Sequence, residues 1–280
     1  MLEGGVVGRT VVITGASAGI GAQAALQFAR QGDDVVLLGR SPTKLAAVSD
    51  RIAEATGRTP AQYACDFADL SDVRATGGRI AATYRVVDVL ANNAGLIAPG
   101  RSTTVDGHDL TIQVNHLAPF LLTAHLEPSL TAAAAARVVT TTSAAHSVGW
   151  LDPDDLDFER RRWSSWRAYA DSKQANVLFT VELSWRLRQT QVSATCLHPG
   201  LVRSDFGRGN RLFGLVKRLS PVGFVAPSQA ASHLVRLATA PEGLAVPGGY
   251  FDSARLGAAT SRATDPDLAA RLWAVSERLT

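Results

Sequence analysis

A doubly wound α/β fold, with a mostly parallel sheet covered by helices on both faces, is what this 280-residue sequence predicts. Three observations predict it. Short apolar runs alternate with longer amphipathic stretches along the whole chain, the order of repeated βαβ units. The runs lack polar alternation, so they read as strands buried on both faces. A glycine-rich turn directly follows the first run and opens the first amphipathic stretch. The length suits one large α/β domain, and no repeat or low-complexity linker divides it, so a single domain over 1–280 is expected.

Val11-Val12-Ile13 is the first strand, and the turn after it leads into a helix ending near Gln31. Val35-Val36-Leu37-Leu38 is the second strand, followed by a helix over 42–56. Gln62-Tyr63-Ala64 is a short third strand, with a helix over 71–84 after it. Residues 86–90 read as the fourth strand, 107–130 as one helix and 137–141 as the fifth strand. A long helix is expected over 167–188, the sixth strand over 192–197 and a helix over 227–239. Gly249-Tyr250-Phe251 closes the sheet as its seventh strand.

Composition narrows the function classes. Apolar residues make up 46% and charged residues 19%, enough for a sizeable core and against disorder. The net charge of +3 is scattered, and the one small cluster, Arg160, Arg161 and Arg162, reads as a solvated surface loop, so no nucleic-acid partner is expected. Cys65 and Cys196 lie in apolar runs, read as small buried hydrophobes; neither a disulfide framework nor a metal site is indicated. With no signal-peptide pattern and no apolar run near ~18 residues, a cytoplasmic location without a transmembrane segment is expected. Abundant Ala and Arg with scarce Lys fit a GC-rich bacterial genome.

The turn reads Thr14-Gly15-Ala16-Ser17-Ala18-Gly19-Ile20-Gly21. Glycines permit a tight turn and close approach of the backbone to a pyrophosphate, which free N–H groups at the helix N-terminus then bind. Many such turns are only turns; the position between strand and helix makes dinucleotide binding the stronger reading. Other motifs follow in order: Asn92-Asn93-Ala94-Gly95 after the fourth strand, Ser143 ending the fifth, Tyr169-Ala170-Asp171-Ser172-Lys173 in the long helix, and Pro199-Gly200 after the sixth strand. Together with the Gly-x-x-x-Gly-x-Gly spacing they cover nearly the whole chain, which resembles the short-chain dehydrogenase/reductase family. Gln113-Val114-Asn115-His116-Leu117, Ser172-Lys173-Gln174-Ala175-Asn176, Leu272-Trp273-Ala274-Val275-Ser276-Glu277 and the Asp155-Leu156-Asp157-Phe158 stretch resemble its retinol-dehydrogenase-like branch. The resemblance implies a Rossmann-type fold and an NAD(P)-dependent oxidoreductase that interconverts a carbonyl and an alcohol by hydride transfer. Vertebrate members of that branch often carry an N-terminal membrane anchor; this sequence starts almost at its first strand, so none is expected.

The cofactor contacts implied are Gly15, Ser17, Gly19, Ile20 and Gly21 in the turn; Asn92, Ala94 and Gly95; and Pro199, Gly200, Val202 and Ser204 beside the nicotinamide. Asp66, with Phe67, matches the family's acid that contacts the adenine; alone it could equally be a helix cap. The second strand ends Leu37-Leu38-Gly39-Arg40, without the acid that selects NAD(H) through the ribose 2′-OH. Arg40 can bind a 2′-phosphate through its planar fork, so NADP(H) is expected over NAD(H). A surface or capping Arg is the duller reading, and the turn lacks the second basic residue often found in NADP enzymes, having Ala18 instead.

Tyr169 and Lys173 are four apart on a helix and share a face. A nearby ammonium is expected to lower the tyrosine pKa from ~10, fitting Tyr169 for acid/base work. The resemblance implies that Lys173 also bonds the nicotinamide ribose, that Ser143 orients the substrate oxygen, and that Asn115 holds a kinked helix and a water in the relay to Lys173. The run Thr140-Thr141-Thr142-Ser143 leaves the register ambiguous, and the family's second serine points to Ser143. Asn115 could also be a buried structural residue, and His146 and His198 read as structural. Residues 203–225 occupy the family's variable lid; Phe206, Leu212 and Phe213 interleaved with Arg208, Arg211 and Lys217 suit a mobile lid, an oligomer contact or a membrane-surface helix. Trp150, Trp163 and Trp166 either wall the pocket or pack in the core. The expected substrate is a lipophilic aldehyde, ketone or alcohol. Competing classes are a non-catalytic NADP(H)-sensing or interaction protein on the same fold and an epimerase-type enzyme; homo-oligomerisation stays open.

Overall fold

The computed structural model describes residues 8–202, 224–241 and 246–280. The described elements are β1 (Thr10–Thr14), α1 (Gly19–Arg30), β2 (Asp34–Gly39), α2 (Pro42–Thr56), β3 (Ala61–Ala64), α3 (Leu70–Thr83), β4 (Val89–Asn92), α4 (Leu110–Ile112), a π-helical segment (Gln113–Leu117), α5 (Ala118–Thr131), β5 (Ala136–Thr141), α6 (Ser165–Arg186), β6 (Val192–His198), α7 (Pro227–Thr239), β7 (Tyr250–Asp252), β8 (Arg255–Leu256) and α8 (Pro266–Leu279). The sheet order is β3-β2-β1-β4-β5-β6-β7-β8. Every pairing is parallel except β7 with β8. The order reverses between β1 and β4, and in open α/β sheets the crevice at such a switch point holds the ligand.

Alternation along the strands divides the core. Val12, Leu90 and Val138 face the side covered by α3, α5, α6 and α8. Val11, Ile13, Val89 and Val139 face the side covered by α1, α2 and α7. Both sets are nearly or fully buried, so the strands carry apolar residues at every position. Burying each such side chain stabilises the fold by about 1.5–3 kcal/mol, which makes the sheet a rigid base for the loops at its C-terminal edge.

Three expectations are corrected. The sheet has eight strands, not seven: Arg255–Leu256 adds an antiparallel edge after a tight turn in which Ser253 takes φ 57, and a two-residue strand carries no periodicity to read. The fourth strand spans Val89–Asn92 rather than 86–90, because the Val87 N–H donates to the Ser129 carbonyl instead of to a strand. The helix expected over 107–130 starts later, at Leu110, since Gly107 has φ 90 and Asp109 caps the Thr111 and Ile112 N–H groups. It is also interrupted by the π-helical segment.

Candidate active site

The glycine-rich turn is shaped by close backbone contacts. A Cβ on Gly21 would lie 2.4 Å from the Gly15 carbonyl oxygen, and one on Gly15 would lie 2.9 Å from the Ala94 Cα. Gly15 (φ 67) and Gly19 (φ 56) also take left-handed backbone that favours glycine. Thr14 ties the turn to the loop after β4, its Oγ1 accepting from the Asn93 and Ala94 N–H groups and donating to the Ala91 carbonyl. Among the described residues no side chain caps α1, since Ala18 stands at the N-cap. Its first-turn N–H groups are therefore available to an anion. Ser17 and Gly19 lie half-buried on the turn, and half-buried Ile20 packs against the core beneath it.

At the end of β2, a Cβ on Gly39 would meet the Ser17 and Leu45 side chains at 3.2 Å, so the position has no slack for an acid. Arg40 follows, exposed and without an ion-pair partner among the described residues, just before Ser41 caps α2. Asp66 is half-buried and accepts from the Ala68 N–H at 3.0 Å, but the cap of α3 is Asp69. That removes the capping reading of Asp66. Phe67 is buried in the core, so only its backbone can face a ligand. Asn92 is also buried, its amide donating to Thr123 on α5. The neighbouring Asn93, absent from the expected set, donates from its amide to the Thr14 carbonyl and lies against Gly15 and Gly21. A doubled Asn-Asn motif gives no clue to which one faces the turn.

Ser143, Tyr169, Lys173 and Asn115 come together at the C-terminal edge of β4 and β5. The Ser143 side chain stands close enough to the Tyr169 hydroxyl to pull its pKa downward. Ser143 also caps a short 3-10 turn, accepting from the Ala145 N–H at 3.2 Å. Thr142 points inward and donates to the Lys173 carbonyl, which leaves Ser143 as the side chain beside Tyr169. Lys173 Nζ donates to the Thr141 carbonyl at 3.1 Å and stands 5.7 Å from the Tyr169 ring centroid. Asn115 sits in the π-helical segment, donating to the Leu96 carbonyl and Ser172 Oγ while accepting from the Leu96 N–H. A Cβ on Gly95 would meet Asn115 Oδ1 at 3.2 Å and Lys173 Nζ at 3.4 Å, so the two side chains converge there. Gly200 (φ 87) turns the chain after Pro199, and Val202 bridges to Val225. Ser204 and positions 203–223 of the expected lid lie outside the described residues.

The electrostatics differ from the expected pattern. Burial pushes Tyr169 up to about 12 against the lowering effect of the Ser143 hydrogen bond, and pushes Lys173 down to about 8. The same dry environment drives both groups toward their neutral forms. The ammonium is bonded to a β5 carbonyl rather than to the phenol, so its attraction does not win. His146 donates from Nδ1 to the Ser143 carbonyl and packs on Tyr250, a structural part; burial lowers both His146 and His198. Cys65 and Cys196 are free thiols that burial pushes up to about 12. Among the described residues no group of three His, Cys, Asp or Glu side chains could hold a metal ion.

The tryptophans separate. Trp166 is 41% exposed with its ring 6.0 Å from that of Tyr169, Trp163 is tied to Asp109, and Trp150 is exposed with the Arg262 guanidinium over its ring. The surface reading of the arginine cluster fits exposed Arg160 and Arg162 but not Arg161, which is paired with the buried Asp155 and Asp171. The family model for short chain dehydrogenases matches residues 9–212. A Streptomyces sp. (strain C5) protein provisionally named daunorubicin C-13 ketoreductase is 42% identical over 98% of this chain and 93% of its own. Retinol dehydrogenase 13 of Homo sapiens is 39% identical over 97% of this chain and 84% of its own. A provisionally described short-chain dehydrogenase of Escherichia coli CFT073, crystallised with NADPH, superposes with TM-score 0.69 at 28% identity, over 89% of this chain and 98% of that one.

Proposed function

This chain belongs to the short-chain dehydrogenase family, close to its retinol-dehydrogenase-like branch, and is an oxidoreductase; from that premise we propose that it uses NADP(H) to interconvert a lipophilic carbonyl compound and its alcohol at a Ser143–Tyr169–Lys173 site. The observation that carries the reading is the buried Tyr169 with Lys173 one helical turn away, its Nζ 5.7 Å from the Tyr169 ring, and Ser143 near enough to act on the hydroxyl. The tight glycine turn, in which a Cβ at Gly15 or Gly21 would strike neighbouring backbone, and the N-terminus of α1 without a side-chain cap among the described residues fit a dinucleotide pyrophosphate. Exposed Arg40, directly after Gly39 at the end of β2, supports a 2′-phosphate contact, and Gly39 brings no carboxylate to repel it. A bound nicotinamide supplies or accepts the hydride.

The chain's own residues handle the oxygen and the proton. Ser143 orients the substrate oxygen by a hydrogen bond. Tyr169 gives that oxygen its hydroxyl proton as negative charge develops there, and takes one back in the reverse direction. The Lys173 ammonium stabilises the phenolate left behind, and Asn115 holds the relay that reprotonates it. With its pKa pushed up to about 12, Tyr169 is in its protonated form at neutral pH and holds the proton it would give the oxygen. Trp166 beside Tyr169, with exposed Val148 and Leu201, supplies apolar surface for a lipophilic substrate; the retinol dehydrogenase name of one relative points the same way. The chain works as one catalytic domain, with 203–225 as the substrate lid.

The test is calorimetric titration with NADPH and NADH, followed by NADPH oxidation assays with decanal and retinal. NADPH is expected to bind more tightly. Arg40→Ala is expected to lose about 10–100-fold in NADPH affinity, the worth of a charge-assisted hydrogen bond, and little in NADH affinity. Tyr169→Phe should bind NADPH normally and turn over at least about a hundredfold more slowly. Equal affinity for both nucleotides would overturn the Arg40 assignment. A Tyr169→Phe protein as active as the wild type would overturn the site.

A further inference from the structure

We propose that Arg161 is a positioning residue: through the loop at 149–164 it braces the first turns of α6 and so sets the placement of Tyr169. The inference rests on the Tyr169 site proposed above and adds a residue to it. Asp171, between Tyr169 and Lys173 on α6, is fully buried, yet it is an acid. Its oxygens are met by two donors, the Trp150 N–H at 2.8 Å and Arg161 Nη1 at 2.8 Å. Both donors come from the loop, so the loop is fastened to the catalytic helix by a buried carboxylate. Burial raises the Asp171 pKa against these two bonds.

Arg161 spends its other donors on the loop itself. Nη1 also donates to the Trp150 carbonyl, Nη2 to the Asp155 carbonyl and Nε to Asp155 Oδ2. Asp155 in turn accepts from the Glu159, Arg160 and Arg161 N–H groups. The guanidinium lies 4.8 Å from the ring centroid of Phe158, a buried residue held at φ 57. Left-handed backbone at a bulky residue is strained and persists only where its surroundings over-determine it. Arg161 is the centre of those surroundings.

The loop's far end reaches the element that carries Asn115. Trp163 Nε1 donates to Asp109 Oδ2, and Asp157 accepts from the Asp109 N–H; Asp109 is the cap of α4, directly before the π-helical segment. One loop therefore touches both helical elements of the site, and Arg161 is the cation that links its turns to α6. An error of about 1 Å in Tyr169 suffices to cost on the order of a hundredfold in turnover.

Arg161→Met alone would leave Asp171 buried with one donor and could unfold the chain, so the decisive protein is Arg161→Met/Asp171→Asn. The amide keeps the Trp150 N–H bond and removes the unpaired charge, and Asp155 keeps its three backbone donors. The expected result is a melting temperature near the wild type, NADPH affinity within about twofold and retinal turnover at least about tenfold lower with little change in KM. Hydrogen exchange is expected to accelerate in the first turns of α6, residues 165–173, and not in α1. Arg161→Lys, which keeps a cation but not the fork, should fall between. Wild-type turnover and wild-type exchange in the folded double variant would overturn the proposal. Tyr169→Phe is the parallel control: if it retains full turnover, the site reading itself fails, whatever Arg161 does.

Discussion

Lys173 shows how function and stability oppose each other at a single residue. Its side chain is buried, and burial lowers its pKa from 10.5 to about 8. Below pH 8 the folded protein holds a desolvated ammonium, which destabilises it relative to the unfolded chain. Between about 8 and 10.5 the unfolded chain keeps the proton that the folded one has lost, so stability rises with pH there. The ammonium is also the form that supports the Tyr169 phenolate, so carbonyl turnover should decline with a one-proton slope above pH 8. Lys173→Met removes the charge and keeps the length. It is expected to melt higher than the wild type at pH 7, by an increment on the order of 1–3 kcal/mol, while losing turnover; melting curves and the retinal assay check both halves. A Lys173→Met protein that melts lower would show that the bond to the Thr141 carbonyl outweighs the cost of burial. The residue types of the proposed site can be read from the sequence, but the direction of the Tyr169 shift cannot. Spacing on a helix shows that two side chains share a face; it does not show that Lys173 Nζ is turned to a carbonyl on β5.

At the scale of elements, the π-helical segment is the feature that aligns Asn115. An extra residue in the turn shifts the helix register, and functional sites frequently use such insertions. Asn115 makes three bonds from this position, two to Leu96 in the loop after β4 and one to Ser172 on α6. Asn115→Ala leaves the Leu96 N–H and carbonyl without these partners. A loss of about 2–4 kcal/mol in urea unfolding is expected, with turnover reduced beyond what the folded fraction explains. An Asn115→Ala protein with unchanged stability would mean that the segment is held by its apolar neighbours alone. Periodicity predicted one helix across 107–130, because one inserted residue barely disturbs a 3.6-residue pattern. The strands were legible for the opposite reason. Runs such as Val11-Val12-Ile13 bury every side chain, and few other elements do that over so short a length.

The whole molecule is closed by α8, which packs on α6 and reaches the π-helical segment. Phe179 stacks on Trp273 at 5.9 Å, and His116 bonds Ser276 at 2.8 Å. The Ser276 hydroxyl donates to the Leu272 carbonyl, so His116 is the donor to Ser276 and its buried Nδ1 has no partner among the described residues. Burial lowers His116 from 6.5 to about 3. The unfolded chain therefore takes up a proton near 6.5 that the folded chain refuses until about 3. Stability from this group is fully present above pH 6.5 and is lost as the pH falls through that window. Relative to His116→Gln, the wild type should lose about 1.4 kcal/mol per pH unit between 6.5 and 3. Urea unfolding at pH 7, 6 and 5 measures the difference, and parallel pH profiles for the two proteins would overturn it. No helix among the described residues is long and apolar enough to cross a membrane.

The sequence by itself determined the βαβ order, the sheet's burial on both faces, the place of the glycine turn and the residue types of the proposed site. Each of these is local: it follows from apolar periodicity, from backbone freedom at glycine, or from spacing on one helix. Only the tertiary structure decided which of Asn92 and Asn93 faces the turn, that Thr142 points inward while Ser143 meets Tyr169, and that Arg161 leaves the surface to pair with Asp171. Those outcomes depend on partners far along the chain and on which groups are deprived of water. Burial sets the charge a side chain can keep, and burial exists only once the chain has folded.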